Sequence, residues 1–314
     1  MSRTEARPGQ APGPVGAFAV LGVPIDCLGR PGGTELSPAA LRDAGLVERL
    51  AAADLGDLPV RIDSPVRDPE SGIVGYHSVL NTTRVLRRRL AEVLRRGDRP
   101  ILAGGCCTQM MGAMAAARDV FGRAGVVWAD GHLDLYDGRT SPTGEAADVP
   151  LAVALGHGPP GLLEAVGPGP AAAVEDAVLL GDRDRNEAAA RGSLLPKDLG
   201  PGFLHFDRSA IGRLGAAEAG RRAVERLETR GTRFWIHLDL DVLDRDAFPA
   251  TDYLMPGGLE WDELIALLRP AGASPLLLGA AIACYNPSRD PGGGHGRRLV
   301  EALAVILGRD GVRV

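Results

Sequence analysis

The chain has 314 residues, 45% of them hydrophobic, and a formal net charge of −5. That is enough apolar sequence for a sizeable core, and the 43 glycines and 24 prolines are too scattered to mean global disorder. The acidic balance gives no sign of a nucleic-acid partner. There is no basic leader before an apolar stretch and no run of about 18 apolar residues, so a soluble cytoplasmic protein without membrane association is expected.

In chain order, residues 1–15 are polar, Pro/Gly-rich and aperiodic, and read as a loose tail ahead of one domain over 16–314. Apolar runs predict strands at 17–23, 99–103, 125–129, 177–181, 203–207, 234–240 and 276–283. Segments of helical period predict helices at 38–52, 78–96, 108–121, 214–230, 259–269 and 295–308. Strands alternating with helices imply βαβ units, hence an α/β fold of three layers, α/β/α, with a mainly parallel sheet. Sites in such sheets form beyond the carboxyl ends of the strands. Three connections, about 131–150, 242–258 and 284–295, are too long for simple turns, and their Gly, Pro and polar content favours function. Cys27, Cys106, Cys107 and Cys284 are too few for a disulfide framework and read as reduced thiols.

The most informative pattern lies at two of these strand ends. Asp130, His132 and Asp134 follow Gly-Val-Val-Trp, and Asp239, Asp241 and Asp244 follow Phe-Trp-Ile-His-Leu. In an extended chain, residues at every second position point to one side. Crowded anions with little basic sequence beside them repel unless a cation lies between them. Oxygen and imidazole donors in this number suit Mn, Zn, Co, Ni or Fe. Read alone, either set could be loop caps; together they point to a metal-dependent hydrolase. His237, two residues before Asp239, reads as a satisfied histidine in a sheet.

These residues resemble the ureohydrolase family, which includes arginase and agmatinase. Gly22-Val23-Pro24-Ile25-Asp26 with Ser37-Pro38-Ala39-Ala40-Leu41-Arg42 looks like the family's opening strand and loop. Gly104-Gly105-Cys106-Cys107-Thr108 stands in place of Gly-Gly-Asp-His-Ser. Asp130-Gly131-His132-Leu133-Asp134 is similar to Asp-Ala-His-x-Asp, and Asp239-Leu240-Asp241-Val242-Leu243-Asp244 to Asp-x-Asp-x-x-Asp. Pro256-Gly257-Gly258-Leu259 looks like the turn that follows.

The resemblance implies an arginase-like fold and a binuclear site, usually manganese, that activates water to attack a guanidinium carbon. It implies Asp130, His132, Asp134, Asp239 and Asp241 as ligands, with Cys107 in place of a histidine and Asp130 and Asp239 as bridges. A thiolate there favours Zn, Fe or Co over Mn, so one or two divalent ions of open identity, Ni included, are expected. Asp130 counts as catalytic through the metals, and Asp241 or Asp148 as the proton carrier. Cys284, before Asn286-Pro287, falls where the family binds guanidinium through a Glu. Ala147 falls at the loop histidine of arginases, and Glu145 where they meet the substrate carboxylate. Asp184 and Asn186 resemble a segment that meets the substrate's amino end, though they also read as a helix start. Without a carboxylate at 284 a planar cation loses its bidentate partner. The expectation is therefore a divergent hydrolase of guanidine-, hydroxyguanidine- or amidine-like small molecules, with ordinary arginase activity disfavoured. The alternative is a catalytically inactive relative with a binding or assembly role. The resemblance also implies a homo-oligomer, a trimer or hexamer.

Overall fold

The computed structural model describes residues 16–308; the expected tail at 1–15 lies outside them. The elements run β1 (Phe18–Gly22), α1 (Ser37–Asp43), α2 (Leu46–Arg49), β2 (Ala53–Asp57), α3 (Tyr76–Arg95), β3 (Arg99–Ala103) and α4 (Gln109–Phe121). Next come β4 (Gly125–Ala129), α5 (Pro150–Ala154), α6 (Pro160–Val166), β5 (Ala177–Leu180), α7 (Arg185–Ala190), β6 (Leu204–Phe206), α8 (Arg208–Leu214) and α9 (Ala216–Thr229). The chain then forms β7 (Phe234–Asp239), α10 (Trp261–Ala273), β8 (Leu277–Ala283) and α11 (Gly294–Ile306).

The eight strands form one sheet in the order β2-β1-β3-β8-β7-β4-β5-β6, with every pairing parallel. The inner strands are apolar on both sides because helices cover both faces. Leu21, Leu102, Trp128 and Trp235 pack on the side of α3 and α4, while Val20, Ala103, Val127 and Ile236 pack on the side of α9, α10 and α11. The α3 stripe of Val79, Leu86, Leu90 and Leu94 recurs at helical spacing and is buried throughout. Each fully buried leucine in it contributes about 1.5–3 kcal/mol.

The sheet order, more than any local pattern, positions the site. After β3 the chain resumes at β4 three positions along the sheet, and β8 and β7 later fill the two places between. The carboxyl ends of β3, β8, β7 and β4 therefore stand side by side. Ala283 registers with Asp239 across β8 and β7, and Ala129 with Leu238 across β4 and β7.

Local departures from the sequence reading have identifiable causes. The expected helix over 38–52 is two, separated by Gly45 at φ 87°. The helix expected at 214–230 begins after Gly215, and a separate turn of helix, α8, precedes it. The return loop from β7 closes where Gly258 meets the chain after Val242. A β-carbon on Gly258 would stand 2.3 Å from the Leu243 carbonyl carbon and 2.4 Å from the Asp244 nitrogen. Neighbouring Gly257, at φ 78°, has open space around it. Gly258→Ala is therefore expected to cost about 2 kcal/mol or more in chemical denaturation, and clearly more than Gly257→Ala, which adds only local strain. Equal costs would rule out the close approach.

Candidate metal centre

Both acidic sets lie on adjacent strands, β4 and β7, and face one space. The means of convergence is not the extended alternation read from sequence. β4 ends at Ala129, and the backbone then bends until Asp134 adopts φ 52°; β7 ends at Asp239, and residues 240–242 form a 3-10 turn. Turns, rather than pleat, bring the side chains together. Asp244 lies outside the cluster, where it accepts the Gly257 and Gly258 amides at 2.6 and 3.1 Å and pins the return loop.

Backbone amides set the carboxylates. Asp130 accepts the His132 amide at 2.7 Å and the Trp128 indole N–H at 3.0 Å. Asp241 accepts the Gly131 amide at 3.0 Å, so the two loops are stitched together, and its own amide donates to Asp239 at 2.8 Å. His132 Nδ1 stands 3.0 Å from Asp241 and 3.7 Å from Asp130. Cys107 Sγ donates to Asp239 Oδ2 at 2.7 Å. Asp130, Asp134, Asp239 and Asp241 are each at most 4% exposed.

So many buried acids distort each other's titration. Burial first, then Asp130, pushes Asp134 well above the usual carboxylate range; burial, then Asp241 and Asp130, does the same to Asp239. Burial would also raise Asp130, but His132, together with the charge of His237 3.7 Å away, outweighs it and holds Asp130 low. His132 is driven well above its ordinary value because Asp241 and Asp130 overcome the cost of its burial. Protons stand in for positive charge here, which is the electrostatic demand that a divalent ion meets.

The donors fit such an ion. Asp134 Oδ2 is buried with no hydrogen-bond partner. Donor atoms of Asp130, His132 and Asp241 lie within 4.8 Å of one another, as do those of Cys107, Asp130, Asp134 and His237, and those of Cys107, Asp239 and Cys284. His237 and Cys284 thus join a ligand set that sequence reasoning drew without them. His237 is fully buried, stacks 4.0 Å from the Trp128 ring and has no hydrogen-bond partner on either nitrogen. The signal available in the sequence was its place two residues before Asp239, on the same side of the strand.

A cavity of about 40 Å³ opens among Cys27, Cys107, His132, Asp148, Tyr253 and Cys284, with Ala147 also on its wall. Asp148 accepts the Thr143 hydroxyl at 2.8 Å and also bonds Ser141, and burial raises its carboxyl. Glu145 is buried at the rim, with its carboxylate taken by the Cys27 thiol at 2.9 Å and the Tyr253 hydroxyl at 2.7 Å. Asp184 is buried and its oxygens are unpaired; burial pushes it up to about 7. Asn186 lies elsewhere, on a wider depression of about 710 Å³ shared with Arg183, Arg185, Asp207 and Arg208. Among the described residues, no helix is long and apolar enough to cross a membrane.

Comparison with known proteins agrees with this geometry. Residues 16–307 match the arginase family model. The chain is 28% identical over 296 residues to the arginase of Bacillus caldovelox, covering 92% of this chain and 96% of that one. It is 28% identical to the arginase of Bacillus subtilis (strain 168), covering 93% and 98%. The solved B. caldovelox arginase superposes with a TM-score of 0.82 at 25% identity, over 93% of this chain and 98% of that one. Formimidoylglutamase from B. subtilis shares the fold at a TM-score of 0.70 and 19% identity, over 96% and 88%. Fold, strand-end acids and a match over almost all described residues lead to one conclusion: the chain belongs to the arginase family.

Proposed function

We propose that this protein is a metal-dependent C–N hydrolase acting on a small guanidine-, hydroxyguanidine- or amidine-like molecule. The observation that carries the reading is the buried convergence of Asp130, His132, Asp134, Asp239 and Asp241, with one Asp134 oxygen left without a partner. Unpaired buried charge is expensive, and a cation is what relieves it. The residues that would hold one or two divalent ions are these five and Cys107. Such ions, when bound, supply a water of lowered pKa and polarise the amidine carbon.

The chain's own residues account for the rest. Asp148 carries its proton toward the leaving nitrogen, and its raised carboxyl and its place on the cavity wall support that role. Asp241 is the alternative carrier, but the Gly131 amide and His132 already occupy it. Tyr253 stands edge-on to His132 at 5.9 Å and lines the same cavity. A cavity of about 40 Å³ is small beside the roughly 300–1,000 Å³ of drug-sized ligand sites. Tyr253 must therefore swing aside, or only a small head group enters.

L-arginine is disfavoured as substrate. Cys284 and Ala147 replace on the cavity wall the family's guanidinium-binding Glu and loop His, and Glu145 sets a carboxyl where arginases meet a carboxylate. Asp184 and Asn186 belong to this proposal as contacts toward the substrate's amino end, Asn186 from the separate depression that it lines with Arg183. A trimeric or hexameric assembly and a cytoplasmic setting belong to it too. The same two replacements favour, as second reading, an inactive relative that binds without turnover.

The test is metal analysis of the purified chain followed by a screen of guanidines, hydroxyguanidines and formimino compounds for urea or ammonia release. About one or two ions per chain with turnover of an amidine is the expected result. Bound metal without turnover of any of them selects the inactive reading. An absence of bound metal under every loading condition ends the hydrolase reading.

A further inference from the structure

The four cysteines are all buried and all free, and three of them line the metal cavity. Cys107 follows β3 and Cys284 follows β8, strands that pair directly. Their sulfurs stand 3.9 Å apart, and Cys107 Sγ is 2.7 Å from Asp239 Oδ2. Two thiolates held by one tetrahedral ion, each at about 2.3 Å, are roughly 3.8 Å apart.

The backbone fixes this pair. Cys284 adopts φ 63°, costly for a residue with a β-carbon, and its amide donates to the Gly105 carbonyl at 2.8 Å. That bond ties the end of β8 to the loop carrying Cys107. An independent observation points into the same space: the unpartnered Asp134 Oδ2, more than nine-tenths buried and on the same cavity wall. By contrast, the group formed by Asp130, His132 and Asp241 contains no sulfur.

We propose that the centre is chemically asymmetric, with Cys107 and Cys284 forming a two-thiolate position joined by Asp239, and with Asp134 within reach of Cys107. That position takes a thiophilic divalent ion of the zinc type. Asp130, His132 and Asp241 form the harder position, suited to manganese. Cys284 is then a metal ligand instead of a contact to substrate. Each cysteine gives up its thiol proton as the ion binds, with no change of oxidation state. This inference rests on the metal-centre reading above and divides that centre into two unlike halves.

The test loads the full chain with cobalt(II) under reducing, oxygen-free conditions, and measures bound cobalt together with sulfur-to-cobalt absorption in the near ultraviolet. A sulfur band is expected in the wild type. In Cys284→Ser and in Cys107→Ser the band should fall to about half per bound ion, and in the double variant it should vanish. Cys106→Ser is expected to leave it unchanged. X-ray absorption of the zinc-loaded wild type should show two sulfur neighbours at about 2.3 Å, and needs no variant to fold. Cobalt bound without a sulfur band, a band indifferent to Cys284→Ser, or a single sulfur at zinc overturns the two-thiolate position and leaves the hydrolase reading intact. A chain that binds no cobalt, zinc or manganese overturns both.

Discussion

Asp130→Ala is expected to strip the centre of metal and to lower amidine hydrolysis at least about a thousandfold, a loss of roughly 4 kcal/mol in transition-state stabilisation. Asp130 receives the Trp128 indole and the His132 amide, lies 3.7 Å from His237, and contributes to two of the three donor groupings. Removing it takes away a carboxylate common to two donor groupings and also frees the loop that aims His132. A structural explanation would predict loss of stability in step with loss of activity. Asp130→Asn separates the two, because the amide keeps the volume and one hydrogen bond while losing the charge. If Asp130→Asn melts within a few degrees of wild type but holds no metal, the carboxylate serves the ion. Wild-type metal content and turnover in either variant would remove Asp130 from the centre.

The second large effect is stabilisation by metal, and its sign with pH is fixed by the buried acids. Burial and neighbouring acids raise Asp134 and Asp239, and burial pushes Asp184 up to about 7. A carboxyl whose folded pKa is raised contributes stability that is complete below its unfolded pKa of about 4 and is lost as pH rises toward the folded value. The metal-free protein should therefore lose stability from these groups as pH rises above about 4, and for Asp184 up to about 7. A divalent ion displaces the protons of Asp134 and Asp239, so its stabilising effect must grow as pH rises. At about a thousand times its Kd it contributes about 4 kcal/mol, on the order of 10 °C in melting temperature for a chain of this size. The shift is expected to be larger at about pH 8 than at about pH 5.5. Scanning calorimetry with and without ion at both pH values checks this, and a shift that shrinks as pH rises would contradict the burial of these acids beside a cation site.

Much of the architecture was legible because strands of a covered parallel sheet are apolar runs, and all seven read from the sequence are present, the half-buried edge strand β6 included. The eighth was not. β2 reads Ala-Asp-Leu-Gly-Asp, lies at the edge, pairs only with β1 and leaves most of its residues exposed, so no burial pattern marks it. The short helices α5, α6 and α7 were equally silent, being too brief to show a period. At the centre, the acids could be read because each set is local in sequence. The partnership of Cys107 with Cys284 could not, since 177 residues separate them and only the insertion of β8 beside β3 makes them neighbours. His237 escaped for a different reason: a histidine inside a strand more often serves packing than chemistry, and only coordinates show that both its nitrogens go unanswered.

The late arrival of β8 has a consequence for how the molecule matures. During synthesis, β3 emerges long before the strand that must slot between it and β7, so the nascent sheet carries an unfilled gap until nearly the whole polypeptide has left the ribosome. Slow, non-local pairing of this kind delays folding and leaves strand edges open to self-association. The acids of β4 and β7, on strands that pair directly, can gather before β8 arrives, whereas Cys107 and Cys284 meet only once it has slotted in.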